Sequence, residues 1–127
     1  MLAGVPKTMP ALAYAQAVQE RAARAGCDWD KPDAIVDKVA EELGELRRAE
    51  SVRRREEEFG DLLFAMVGAA QRMGVEAEEA LRGANARFYG RFSHLEQALR
   101  QRGASFADMP EDAKLELWRQ AKPAEGG

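Results

Sequence analysis

A chain of 127 residues and 14.0 kDa suits a single domain, one that buries about 65% of the surface its unfolded form exposes. Hydrophobic residues at 46% and charged residues at 32% give a soluble globular balance and exclude wholesale disorder. A net charge of -3 argues against a broad nucleic-acid-binding surface, so no nucleic acid is expected as a partner.

Cys27 is the sole cysteine, which rules out an intrachain disulfide and fits a reducing, cytoplasmic setting. The longest uncharged apolar stretch, Leu62 to Ala70, is far shorter than a bilayer span, and no membrane is expected as a partner. No basic segment precedes an apolar core at the N-terminus, so no signal peptide is expected.

In chain order, Gly4, Pro6 and Pro10 keep residues 1–9 irregular, and Pro10 suits the first turn of a helix. Leu12, Ala15, Val18, Gln19, Ala22 and Ala23 then make a helical stripe that Gly26 stops. Cys27 to Asp30 is a connector, with Cys27 read as buried. Lys31-Pro32-Asp33 opens a second helix reaching about Ala49, in which Ile35, Val36, Val39, Leu43 and Leu46 fall in one apolar arc of about 100°. Glu42 lies beside Ile35 at the rim of that arc and is expected to face partly inward. Glu45, Lys38 and Glu41 follow further round.

Ser51 is placed to cap a third helix. Its first turns carry Arg53-Arg54-Arg55-Glu56-Glu57-Glu58. From Phe59 to Ala70 the only charge is Asp61, among apolar residues that cover every side. A helix apolar all round is buried, and an ionised Asp within it is costly unless paired or metal-bound. Met66, Met73 and Met109 read as core fillers. A fourth helix is expected over residues 76–102, with Ala80, Leu81, Ala84, Phe88, Phe92, Leu95 and Leu99 as its stripe. A shorter last one spans residues 110–122, and residues 123–127 form a frayed tail. No strand alternation and no repeat occurs. The expectation is an all-α domain over residues 1–127 with its core at about 10–122, built as a four-helix bundle plus a short C-terminal helix.

The chemistry concentrates in two acidic pairs, Glu42 with Glu45 and Glu58 with Asp61, each three residues apart and so on one helix face. One histidine and one cysteine nearly exclude zinc sites, and no Glu-x-x-His pair exists for a di-iron site. Oxygen ligands select hard cations, magnesium or manganese before calcium, and magnesium points to a phosphorylated substrate. Spacing alone leaves two readings open: a metal site, or a solvated charged face laced by i,i+4 pairs with the nearby arginines. Elsewhere, Asn85, Arg87 and Arg91 lie on neighbouring turns and suit phosphate or plain surface. Trp118 with Lys122, and Trp29, are either nucleotide contacts or packing residues.

Glu41-Glu42-Leu43-Gly44-Glu45 followed by Glu58-Phe59-Gly60-Asp61 resembles the signature of the MazG nucleoside triphosphate pyrophosphohydrolases. The resemblance extends through Ala22 to Trp29, Asp37-Lys38-Val39, Gly60 to Phe64, Ala84 to Phe88, Arg91-Phe92 and Leu117-Trp118, or about residues 5–122, and is to the C-terminal domain of longer members. It implies magnesium-dependent hydrolysis of a nucleoside triphosphate to monophosphate and pyrophosphate. Carried over by motif, Glu42, Glu45, Glu58 and Asp61 would be metal ligands, with Glu41 a further ligand or supporting acid; Glu41 or Glu45 would take the proton of the attacking water. Lys38, Arg54, Arg87, Arg91 and Lys122 would meet phosphates, while Asn85, Trp29 and Trp118 would hold ribose or base. A homodimer or tetramer is also implied. Cys27 in place of the usual Phe, and Arg87 in place of Lys, depart from the pattern. Pyrophosphatases of dUTP or dCTP, phosphoribosyl-ATP hydrolase, and a non-enzymatic helical dimerisation module are the alternatives.

Overall fold

The computed structural model describes residues 2–27 and 32–124. Five helices account for most of them: α1 (Ala11–Arg24), α2 (Pro32–Arg48), α3 (Val52–Arg72), α4 (Ala77–Gln101) and α5 (Glu111–Ala124), with short 3-10 turns at Leu2–Gly4 and Phe106–Asp108. There is no strand among the described residues, and the all-α expectation holds. The chain divides into two compact units, residues 1–80 and 81–127.

The first unit holds α1, α2 and α3, with α3 packed against both others. Ser51 caps α3 as its position suggests: its Oγ accepts from the Arg54 amide at 3.1 Å, satisfying one of the donors a helix start leaves bare. The antiparallel register of α2 and α3 is readable from two contacts. Ile35, 1% exposed, lies so close to Gly68 that an added Cβ would sit 3.2 Å from its Cδ1. Seven residues on along α2 comes Glu42, and seven back along α3 comes Asp61. Two turns on each helix therefore carry the apolar contact into an acidic one.

Two glutamines tie α1 to its neighbours. Gln16 is buried; its Nε2 donates to the Val75 carbonyl at 2.8 Å, and its Oε1 accepts from the Ala77 amide. It thus satisfies backbone groups where α3 has ended at Gly74, whose φ of 74° suits a residue without a Cβ. Gln19 Nε2 donates to the Phe64 carbonyl at 3.0 Å, and its Oε1 occupies the space a side chain at Gly68 would fill.

The second unit buries Leu95, Leu99 and Ala121. Phe88 stacks on Phe92 and tilts against Trp118, and Phe92 stacks on Phe106 with centroids 5.2 Å apart.

Several expectations need correction. Residues 2–4 form a 3-10 turn with Val5 buried behind it, in place of the irregular segment that Gly4 and Pro6 suggest. α5 runs to Ala124, into the expected tail, and residues 125–127 lie outside the described ones. α3 is not buried all round: Leu62, Ala65, Val67 and Gly68 are covered, whereas Phe59, Leu63, Phe64 and Met66 are about half exposed. Two neighbouring helices cannot surround a third, so one side of it stays bare. Asp61 lies on exposed surface for the same reason, and Met73 is 61% exposed and no core filler. The first half of the α4 stripe is likewise uncovered, with Leu81 and Phe88 exposed. Cys27 is exposed rather than buried.

Candidate metal centre

Glu42 from α2 meets Glu58 and Asp61 from α3, and one carboxylate oxygen from each lies within 4.8 Å of the others. Glu42 and Glu58 are only 7% and 6% exposed, while Asp61 opens the group to solvent. The i,i+3 spacing sets Glu58 and Asp61 on one face of α3, and the helix register delivers Glu42 to the same level. Three carboxylates so close repel one another. The strain is visible at Glu58, whose carboxyl is held above its ordinary range by burial, against the pull of Arg54 and with added push from Asp61, Glu42 and Glu45.

Each buried acid has a cation one turn before it on its own helix. Lys38 Nζ lies 2.9 Å from Glu42 Oε1 and 3.9 Å from Glu41, and Arg54 Nη2 lies 2.9 Å from Glu58 Oε1. Lys38 is raised above the usual lysine value, chiefly by its hydrogen bond to Glu42, then by the charges of Glu41, Glu42 and Asp61, while burial opposes. Arg54 is shared with Glu57 at 2.9 Å. A cavity of about 310 Å³ opens here, with Lys38, Glu42 and Asp61 on its polar side and Gln19, Ile35 and Phe64 among its other walls.

An all-oxygen donor set carrying three negative charges, two of them sheltered from water, fits a hard divalent cation. Two monovalent side chains only partly neutralise it. The other residues singled out are placed as follows. Glu41 is exposed, and Glu45 is half-buried and paired with Arg48 at 3.0 Å; Glu45 is outside the three-acid group but near enough to raise Glu58. Asn85, Arg87, Arg91 and Trp118 belong to the second unit. There the Arg91 guanidinium lies 5.0 Å from the Trp118 ring centroid, and its buried Nε makes no hydrogen bond among the described residues. Trp29 and the Lys122 side chain lie outside the described residues. Gln19 is a wall of the site that sequence reasoning misses; its partner lies 45 residues away, and no local pattern marks it.

The family model for phosphoribosyl-ATP pyrophosphohydrolase matches residues 13–88, a span that includes all three acids and both cations. The chain belongs to this MazG-like pyrophosphohydrolase family. Among curated relatives of this MazG-like chain, the nucleoside triphosphate pyrophosphohydrolase/pyrophosphatase MazG of Thermotoga maritima is 40% identical over 114 residues, which is 90% of this chain and 45% of the relative. The nucleoside triphosphate pyrophosphohydrolase of Escherichia coli strain K12 is 38% identical over 126 residues, 95% of this chain and 48% of the relative. The chain thus spans about half the length of the curated relatives it matches. No helix among the described residues is long and apolar enough to cross a membrane.

Proposed function

We propose that this chain, working as a single MazG-like domain, hydrolyses nucleoside triphosphates to the monophosphate and pyrophosphate with magnesium, or manganese in its place. The observation that supports this best is the Glu42–Glu58–Asp61 group, flanked on each helix by a cation at i−4. Those three acids would hold the metal, with Glu45 one turn beyond Glu42 as a fourth ligand. The bound ion would neutralise phosphate charge and lower the pKa of a water. With a metal held by Glu42 and Glu58, Lys38 and Arg54 would be freed from these intrahelical partners to meet phosphate oxygens. Glu41 and Glu45, less buried, are the bases in reach of solvent that could accept a proton. Arg87 and Arg91 are assigned to phosphate, and Asn85, Trp29, Trp118 and Lys122 to the rest of the nucleotide.

The test is pyrophosphate release from a panel of NTPs and dNTPs with magnesium. Turnover by the wild type and its loss in Asp61→Ala is the expected result, and full turnover by the variant would sink the proposal. Phosphoribosyl-ATP belongs in the panel, because the matching family model is described by that substrate; dUTP and dCTP cover the other relatives considered. A non-enzymatic helical module would show no magnesium-dependent rise in melting temperature.

The same reading includes a cytoplasmic homodimer, or a tetramer built from it. Phe59, Leu63 and Met66 recur at i, i+4 and i+7 as a half-exposed apolar stripe on α3, with Val36 and Leu43 exposed on α2. Sedimentation at micromolar concentration should give at least twice the mass of the chain; a monomer would contradict it.

A further inference from the structure

Glu45 stands one turn beyond Glu42 on α2, and the two cations of the acidic group do not reach it. Lys38 pairs with Glu41 and Glu42, and Arg54 with Glu57 and Glu58. The cation of Glu45 is Arg48, whose Nη2 donates to Glu45 Oε1 at 3.0 Å. That bond engages one oxygen and leaves Oε2 for another positive partner. The Glu45 side chain is 44% exposed, and a glutamate so placed samples several rotamers unless something holds it. Its charge is nonetheless felt at Glu58. Gly44 leaves room for the arrangement. A Cβ there would lie 3.4 Å from Arg48 Nη1 and 3.6 Å from Nη2, so even an alanine methyl would touch the guanidinium. Glycine is unfavourable inside a helix because it loses the most backbone freedom on folding, yet here it keeps the path from Arg48 back to Glu45 clear. The Arg48 side chain is itself 68% exposed, and a pair so open to water adds little to folding. Its effect falls on where Glu45 is held.

We infer that Arg48 is a positioning residue for the metal centre, holding Glu45 ready as its fourth oxygen ligand and acting on the cation through that carboxylate. The inference rests on the metal reading of the acidic group and deepens it by naming a residue behind one ligand. Groups that hydrogen-bond a metal-binding carboxylate fix its orientation before the ion arrives, so the ion does not have to order it. Charge alone predicts the opposite effect. A guanidinium near a cation site repels the cation, and its removal would tighten binding. Loss of a hold on Glu45 would weaken it. The two causes therefore differ in sign. Arg47 supplies the comparison: it is next in sequence, exposed, of the same charge, and without an ion pair among the described residues.

Titration calorimetry with manganese chloride, with no nucleotide present, reads the effect apart from hydrolysis. Arg48→Met should bind manganese at least about threefold more weakly, a smaller loss than buried partners of metal ligands show because this pair is exposed. Arg47→Met should bind as tightly as the wild type, or more tightly. Arg48→Lys, which keeps the charge and a donor, should recover part of the loss. In a Glu45→Gln background Arg48→Met should cause no further weakening, since the carboxylate it acts through is gone. Metal-free melting shows whether each variant is folded. If Arg48→Met is not, the loss in Arg48→Lys and its absence in the Glu45→Gln background decide the matter. A smaller loss in Arg48→Met, an equal loss in Arg47→Met, a loss that persists without Glu45, or no manganese binding by the wild type overturns the inference. Failure of the hydrolase reading looks different: the coupling between Arg48 and Glu45 is present, yet no triphosphate releases pyrophosphate.

Discussion

The acidic group of the first unit and the aromatic cluster of the second each bring together side chains from more than one element, yet they are opposite in their energetics. In the cluster every neighbour favours the next: Phe88 packs on Phe92 and Trp118, Phe92 on Phe106, and Arg91 lies over the Trp118 face. In the acidic group the neighbours oppose one another, and Glu58 is driven toward its protonated form by burial and by three other carboxylates. Ring packing holds the cluster together. The three acids are only partly offset by Lys38 and Arg54, so the acidic group leaves charge for a cation to meet, and the aromatic cluster does not.

The comparison can be broken most sharply at Glu58. Glu58→Gln should cost at least about 100-fold in turnover, since even groups that merely orient metal ligands are worth 10–100-fold. It should also raise the melting temperature of the metal-free protein by removing a charge the fold disfavours. The sign follows from the raised carboxyl: its protonated form is the one the folded state prefers, so its contribution is favourable below the ordinary glutamate range and is lost as pH rises through the raised folded value. The magnesium-induced thermal shift should accordingly shrink as pH is lowered toward that range. A metal-free Glu58→Gln protein that melts below the wild type would show that the acids are not in conflict.

Leu99→Ala in the second unit is the contrasting case. Leu99 is 2% exposed, and its truncation should destabilise by about 2–5 kcal/mol, measured by urea unfolding. Because it removes only packing, the magnesium shift should survive. Ser51→Ala sits between the two kinds of effect and is the smallest. Loss of the cap should cost about 1 kcal/mol and loosen the start of α3, where Arg54 is anchored. A change below about 0.3 kcal/mol would mean that Arg54 and its acids hold that turn by themselves.

Much of this architecture is legible in the order of residues alone. Helical periodicity locates all five helices, Ser51 marks its cap, and the wheel position of Glu42 beside Ile35 foretells its burial, because each of these depends on residues within two turns of one another. What is not legible depends on the third dimension. The apolar run around Asp61 suggests a buried helix; the residue is exposed, and it joins the acids because α3 has one covered face and one open face. Gln16 and Gln19 are invisible as constraints, since their partners are 45 to 61 residues away and a glutamine in an amphipathic helix looks like any other polar residue.

Gly68 has a consequence well beyond its own surroundings. By letting the Ile35 side chain come close, it leaves room for α2 against α3 two turns before the helices present Glu42 and Asp61 to each other. Oxygen ligands surround magnesium at about 2.0–2.1 Å and calcium at about 2.3–2.6 Å, so a few tenths of an ångström between the two helices would bear on which hard cation the three acids suit. A missing methyl group in the apolar core would then be the calliper for that choice. A scan of metal preference across α3 would therefore register position 68, a residue that touches no ion.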